Sequence, residues 1–111
     1  VIAPGVNLSL QALHQMAAAL PHVDIAKPKE VIGRNTVSCM QSGVFWGYIG
    51  LVKEICKKIK EEKKEAMRIV ATGGLAPLLQ STEALFEDVE ENLTMHGLRL
   101  IFDHNKNIDS L

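Results

Sequence analysis

Between Asn7 and Leu20 the apolar residues Leu10, Leu13, Ala17 and Leu20 recur in steps of three and four. That spacing predicts a helix buried along one side, with Ala12 and Met16 widening the stripe. Asn7 or Ser9 can cap its first turn, and Pro21 ends it, because proline supplies no N–H and disfavours helix in the residue before it. A longer run follows: Val37, Met40, Val44, Tyr48, Leu51, Ile55 and Ile59 keep the same spacing from Thr36 to Lys64. Thr36 is placed to cap it. A continuous helix of that length extends about 43 Å at about 1.5 Å per residue. Gly43, Gly47 and Gly50 interrupt it, each at a cost of about 1 kcal/mol against alanine. Three readings of that cost stay open: close approach of another helix to the face shared by Gly43 and Gly47, a bend near Ser42-Gly43, or glycines that are merely tolerated.

Polar punctuation sets the remaining elements. Val1-Ile2-Ala3 reads as the end of a strand broken by Pro4-Gly5, and the abrupt start reads as a chain entered partway through a longer one. Val23–Val31 is irregular. Lys53–Glu65 alternates charge signs at helical spacing, Glu54 with Lys58 for instance, as a solvated helix face does. Met67–Ala71 is a short, mostly apolar, β-branched run and predicts a buried strand; Phe86–Val89 predicts an edge strand. Leu75–Gln80 and Leu93–Asp103 predict helices, the latter with Leu98, Ile101 and Phe102 inside, and the polar tail from Asn105 is expected to fray. The fold class is therefore α/β, dominated by helices, with too few strands to close a sheet of its own. Residues 1–105 read as one α/β domain and 106–111 as a frayed tail.

The chain of 111 residues is 47% hydrophobic and 23% charged, which suits a folded domain rather than a disordered one. Twelve Lys and Arg against thirteen Asp and Glu give a net charge of −1, which argues against nucleic acid and membrane surfaces as partners. The longest apolar stretch, Val44 to Val52, falls short of the about 20 residues a membrane span needs. Cys39 and Cys56 are too few for a disulfide framework or a zinc site, and they read as free core thiols in a reducing cytoplasm.

Candidate chemistry centres on Thr72-Gly73-Gly74, at a strand-to-helix junction. Glycines there let a ligand reach main-chain N–H groups without meeting a Cβ, and the helix that follows presents its positive end. A plain turn accounts for the same residues, and no Lys-Ser or Lys-Thr follows to make a Walker loop. Thr36 is a helix cap on one reading and a hydroxyl facing a small substrate on another. His14, His22, His96 and His104 are solitary, with no second metal ligand at a suitable spacing. Glu87, Asp88, Glu90 and Glu91 read as a solvated acidic loop, and no residue stands out as a general base.

Several blocks, taken in order, resemble one family. Ile2-Ala3-Pro4-Gly5, with Ser9, Ala12-Leu13 and Ala18-Ala19-Leu20-Pro21, resembles the interface motif (G-G-x-I-x-P-G) and following helix of type III pantothenate kinases. Ile32-Gly33 with Asn35-Thr36, then Gln41-Ser42-Gly43 and Gly47, is similar to that family's next block. Ala71-Thr72-Gly73-Gly74 resembles its adenosine motif, and Leu93-Thr94 with Gly97-Leu98 its closing helix.

The resemblance implies the C-terminal half of a fold of the sugar kinase, Hsp70 and actin type (ASKHA), in which two α/β halves close over ATP. It implies phosphorylation of pantothenate by ATP, the entry to coenzyme A, by a homodimer that uses Mg²⁺ and a monovalent cation, K⁺ or NH₄⁺. By analogy Thr72, Gly73 and Gly74 line the adenosine pocket, Thr36 contacts pantothenate in a site completed by the partner subunit, and Pro4 and Gly5 belong to the interface. The family's D-x-G-N-T, G-x-D-R and D-x-G-T-A motifs, the second bearing the catalytic aspartate, are absent, as are the glycines that open the interface motif. They are expected in an N-terminal half, without which this chain is expected to be inactive, with no catalytic residue and no metal ligand of its own. Two other readings compete: a non-catalytic, nucleotide-binding regulatory module of the accessory-factor type, and a dimerisation domain built on the glycine face of the long helix.

Overall fold

The computed structural model describes residues 1–17 and 19–109. In chain order the elements are α1 (Val6–Met16), α2 (Thr36–Lys63), β1 (Val70–Ala71), α3 (Ala76–Glu83), β2 (Asp88–Val89) and α4 (Leu93–Asp109). The chain divides into two compact units, Val1–Ala66 and the segment from Met67 onward. It is a helix-dominated α/β chain with a small parallel sheet.

In the first unit α1 packs on α2. Val6, Leu10, Val23, Met40, Val44, Phe45 and Ile49 are buried, and Phe45 is 0% exposed. Met40 and Val44 belong to the predicted stripe, whereas Phe45 and Ile49 lie outside it and give α2 a second apolar face. Gly5 precedes α1, and its carbonyl accepts the Ser9 N–H at 3.0 Å. The Tyr48 hydroxyl on α2 donates to the Pro4 carbonyl at 2.6 Å. Its one proton being spent there, the 2.7 Å contact with Ser9 has the Ser9 hydroxyl as donor.

Several expectations are corrected here. Val1-Ile2-Ala3 forms no strand, and Ile2 is fully exposed. α1 stops at Met16 rather than before Pro21: Ala17 is extended and its N–H caps the Leu13 carbonyl, while His14 Nδ1 lies 2.8 Å from the Leu20 carbonyl and holds a turn there. Ala18 lies outside the described residues. The cap of α2 is Asn35, not Thr36. Asn35 Oδ1 accepts the Ser38 N–H at 2.9 Å and Ser38 Oγ accepts the Asn35 N–H at 3.2 Å, a reciprocal capping box that makes Thr36 the first helical residue. α2 then runs unbroken over 28 residues through all three glycines. A Cβ at Gly43, Gly47 or Gly50 would meet nothing within 4 Å, so among the described residues of the first unit no helix closes on them. Lys58 pairs with Glu54 at 3.8 Å and with Glu61 at 3.1 Å, as the charge pattern required. Cys39 is exposed and Cys56 half-buried, so neither is a core thiol.

In the second unit β1 and β2 pair in parallel, Val70 with Asp88 and Ala71 with Val89, and α3 is the crossover between them. Both strands are shorter than predicted, two residues each. Ala76, Leu79 and Phe86 are buried beneath α3. Gln80 grips Phe86 from both sides, its Nε2 donating to the Phe86 carbonyl at 2.8 Å and its Oε1 accepting the Phe86 N–H at 2.9 Å. The acidic run is solvated, as expected, with Asp88 in β2 rather than in a loop, and two of its carboxylates are engaged: Glu87 Oε2 accepts the Ile69 N–H at 2.6 Å and Glu90 Oε1 that of Asn92 at 3.0 Å. α4 continues past Asp103 to Asp109, longer than the helix expected; Ser110 and Leu111 lie outside the described residues. Its Leu98, Ile101 and Phe102 are exposed, not interior, Phe102 at 66%. Helical periodicity marks an apolar face, but it does not supply what covers it.

Candidate functional site

Thr72-Gly73-Gly74 leaves the carboxyl end of β1 and turns into α3. Gly73 has φ +101°, a conformation side chains rarely adopt, and its carbonyl accepts the Ala76 N–H at 3.2 Å. β2 is parallel, so its carboxyl end lies beside that of β1, and the Glu90 N–H that follows it donates to the Ala71 carbonyl at 2.8 Å. A cleft of about 310 Å³ opens at this edge, lined by Gly73, Gly74, Pro77, Glu91 and Asn92. Ligands of parallel α/β sheets bind outside the carboxyl ends of the strands. Thr72 is exposed at the end of β1, next to the lining residues rather than among them. Pro77, Glu91 and Asn92 were missed by sequence reasoning; the signal for the last two is that the acidic run directly follows the second strand.

Thr36 stands in the other unit, exposed on the first turn of α2. The segment leading to it has no helix or strand, yet it is fastened to α2 along its length. Gln41 Nε2 donates to the Asp24 carbonyl at 3.4 Å, buried Ser42 donates to the Val31 carbonyl, and Ser38 Oγ accepts the Arg34 N–H at 3.0 Å. Gly33 lies so close that a Cβ there would fall 2.5 Å from the Cys39 nitrogen. Beside this segment is a recess of about 400 Å³, bordered by Lys27, Lys29, Arg34, Ser38 and Gln41 among others. Glu30 engages Arg34 at 3.3 Å.

A third opening, about 580 Å³ and almost wholly apolar, lies between α1 and α2 and takes in Pro4, Leu13, Met40, Gly43, Gly47 and Leu51. Pro4 lines it, while Gly5 takes part through the cap of α1. His14 and His22 are not solitary, since their rings lie 5.1 Å apart. Among the described residues no three His, Cys, Asp or Glu side chains come together as a metal-ligand set. Among the described residues no helix is long and apolar enough to cross a membrane.

Comparison with known proteins places the chain in a family. The model of the type III pantothenate kinase family matches residues 1–58, a little over half of the chain. A type III pantothenate kinase of Roseobacter denitrificans is 70% identical over 106 residues, 96% of this chain and 41% of its own length. The enzyme of that name from Ruegeria pomeroyi is likewise 70% identical over 106 residues, and that of Paracoccus denitrificans 62%. This chain thus spans about 41% of the length of these curated relatives. These relatives are named as kinases, and none of the names gives the regulatory alternative support. With the family model laid over α1 and most of α2, and the relatives carrying the likeness across nearly the whole sequence, the chain belongs to the type III pantothenate kinase family.

Proposed function

We propose that this chain is the C-terminal half of an enzyme that phosphorylates pantothenate with ATP to give 4′-phosphopantothenate, the first step of coenzyme A biosynthesis. The observation that supports this is 70% identity over 96% of the chain to an enzyme named for that activity. On this reading the whole protein has the ASKHA fold, and this α/β portion supplies one wall of the ATP cleft. Gly73 and Gly74, with Thr72 beside them, receive the adenosine: the absence of Cβ atoms lets a flat base lie against the main chain. Thr36, on a helix N-terminus held by the capping box, offers a hydroxyl and the positive end of the helix dipole to the polar groups of pantothenate. Pro4 and Gly5 belong to the interface of a homodimer whose second subunit completes the pantothenate site.

Phosphoryl transfer needs a base at the attacking hydroxyl and neutralised phosphates. The aspartate of the G-x-D-R motif, outside this chain, would take the proton of the pantothenate hydroxyl. Mg²⁺ and a monovalent cation, K⁺ or NH₄⁺, belong to the whole enzyme in this reading. The residues described here form no metal cage, so no metal-dependent step is assigned to them. The setting is cytoplasmic.

The test is pantothenate-dependent ADP release, with ATP, Mg²⁺ and K⁺, by the polypeptide carrying this chain at the full length of its relatives. Turnover is expected, and Thr36→Ala is expected to lower it about tenfold or more, the order of one charge-assisted or well-placed hydrogen bond. A folded, ATP-binding protein without turnover would overturn the kinase reading.

A further inference from the structure

We infer that Glu91 recognises the ribose of the nucleotide, accepting hydrogen bonds from its 2′- and 3′-hydroxyls; this rests on the adenosine reading of the cleft. Of the five residues lining that cleft, Gly73, Gly74 and Pro77 bring no polar side chain. Directional recognition by side chains therefore falls to Glu91 and Asn92. The main chain on either side of Glu91 is fixed. Before it, the Glu90 N–H is bonded to the Ala71 carbonyl at 2.8 Å; after it, the Asn92 N–H is held by Glu90 Oε1 at 3.0 Å and the Asn92 carbonyl accepts the His96 N–H at 2.9 Å. Glu91 is thus set on the cleft wall by the sheet edge and the start of α4, not by a free loop.

An ionised carboxylate only accepts hydrogen bonds, so the part of the ligand it meets must present donors. That excludes the phosphates, which are anionic acceptors and would be repelled. Within ATP the donors left are the adenine 6-amino group and the vicinal ribose hydroxyls; the hydroxyls, on adjacent carbons, match two carboxylate oxygens, and acidic residues fill this role in other α/β nucleotide sites. A cleft of about 310 Å³ is at the small end of the range for small-molecule sites, about 300–1,000 Å³, which suits the nucleoside end of ATP. Among the described residues Glu91 belongs to no group of three His, Cys, Asp or Glu side chains that could hold a metal ion.

Equilibrium binding of ATP and of 2′,3′-dideoxy-ATP to the full-length polypeptide tests this directly. The wild type should prefer ATP about tenfold, the order of hydrogen bonds to a charged group. In Glu91→Ala that preference should collapse to about one, through loss of ATP affinity alone, and Glu91→Gln, which keeps an acceptor oxygen, should retain part of it. Equal binding of the two nucleotides by the wild type, or an undiminished preference in Glu91→Ala, would overturn the ribose assignment while leaving the adenosine site standing. Failure of the wild type to bind either nucleotide would remove the adenosine reading and this inference with it.

Discussion

At Gly33 the packing leaves no room for a side chain, because the nearest backbone atoms of Ser38 and Cys39 stand 2.5 to 2.7 Å from where a Cβ would be. Gly33→Ala must push the segment off α2. We expect a loss of about 1–3 kcal/mol in urea unfolding, the usual penalty of overpacking. Its neighbours separate structure from chemistry. Asn35→Ala removes the acceptor of the Ser38 N–H and should cost about 1 kcal/mol, whereas Thr36→Ala should stay within about 0.5 kcal/mol of wild type while lowering turnover. The sequence announced a cap at this place, but the reading of it at Thr36 falls one residue beyond Asn35, which forms it. Asn35 and Thr36 are both good caps, and the choice was settled by Ser38, whose hydroxyl returns the hydrogen bond to Asn35. The pairing of His14 with His22 was illegible for a different reason: it depends on how the chain turns after Met16, which spacing alone does not encode.

Among the elements, α2 was the most legible, because 28 residues of apolar periodicity outweigh three glycines. What the pattern hid was its second apolar face, around Phe45 and Ile49. The glycines give a sharp test of what that helix meets. With nothing within 4 Å of a Cβ at Gly43 or Gly47, Gly43→Ala and Gly47→Ala should each stabilise the isolated helix by about 1 kcal/mol, raising the urea midpoint. If a second subunit closes on that face, Gly43→Leu should instead dissociate the full-length dimer in sedimentation, and an unchanged dimer would place the interface elsewhere. In the other unit Gln80→Ala removes both hydrogen bonds to the Phe86 backbone and should lower stability by about 1–3 kcal/mol. The strands were located correctly but overextended, since β-branched residues such as Ile69 and Val70 mark strand character and not how far a partner accompanies them.

For the whole molecule, the sequence conveyed the α/β class, the order of elements and the glycine loop, and the family resemblance named sites that composition alone did not reach. It misjudged burial wherever the covering surface is not within these residues. α4 is the clearest case, with Leu98, Ile101 and Phe102 all more than half exposed. Replacing Ile101 and Phe102 by lysine should reduce binding of a hydrophobic dye such as ANS by this chain, with a stability change within about 0.5 kcal/mol. The fastening of the segment from Asp24 to Thr36 has a consequence of its own. Its amides belong to no helix or strand, yet that of Arg34 is hydrogen-bonded to Ser38, and Val31 and Asp24 are tied through their carbonyls to side chains of α2. Hydrogen exchange of the Arg34 amide, the donor among these ties, should therefore be slower than that of a free loop amide. Pantothenate bound beside Thr36, as proposed, would meet a surface whose ordering entropy was spent during folding, so that its residence time would reflect the contacts it makes and not the work of gathering them.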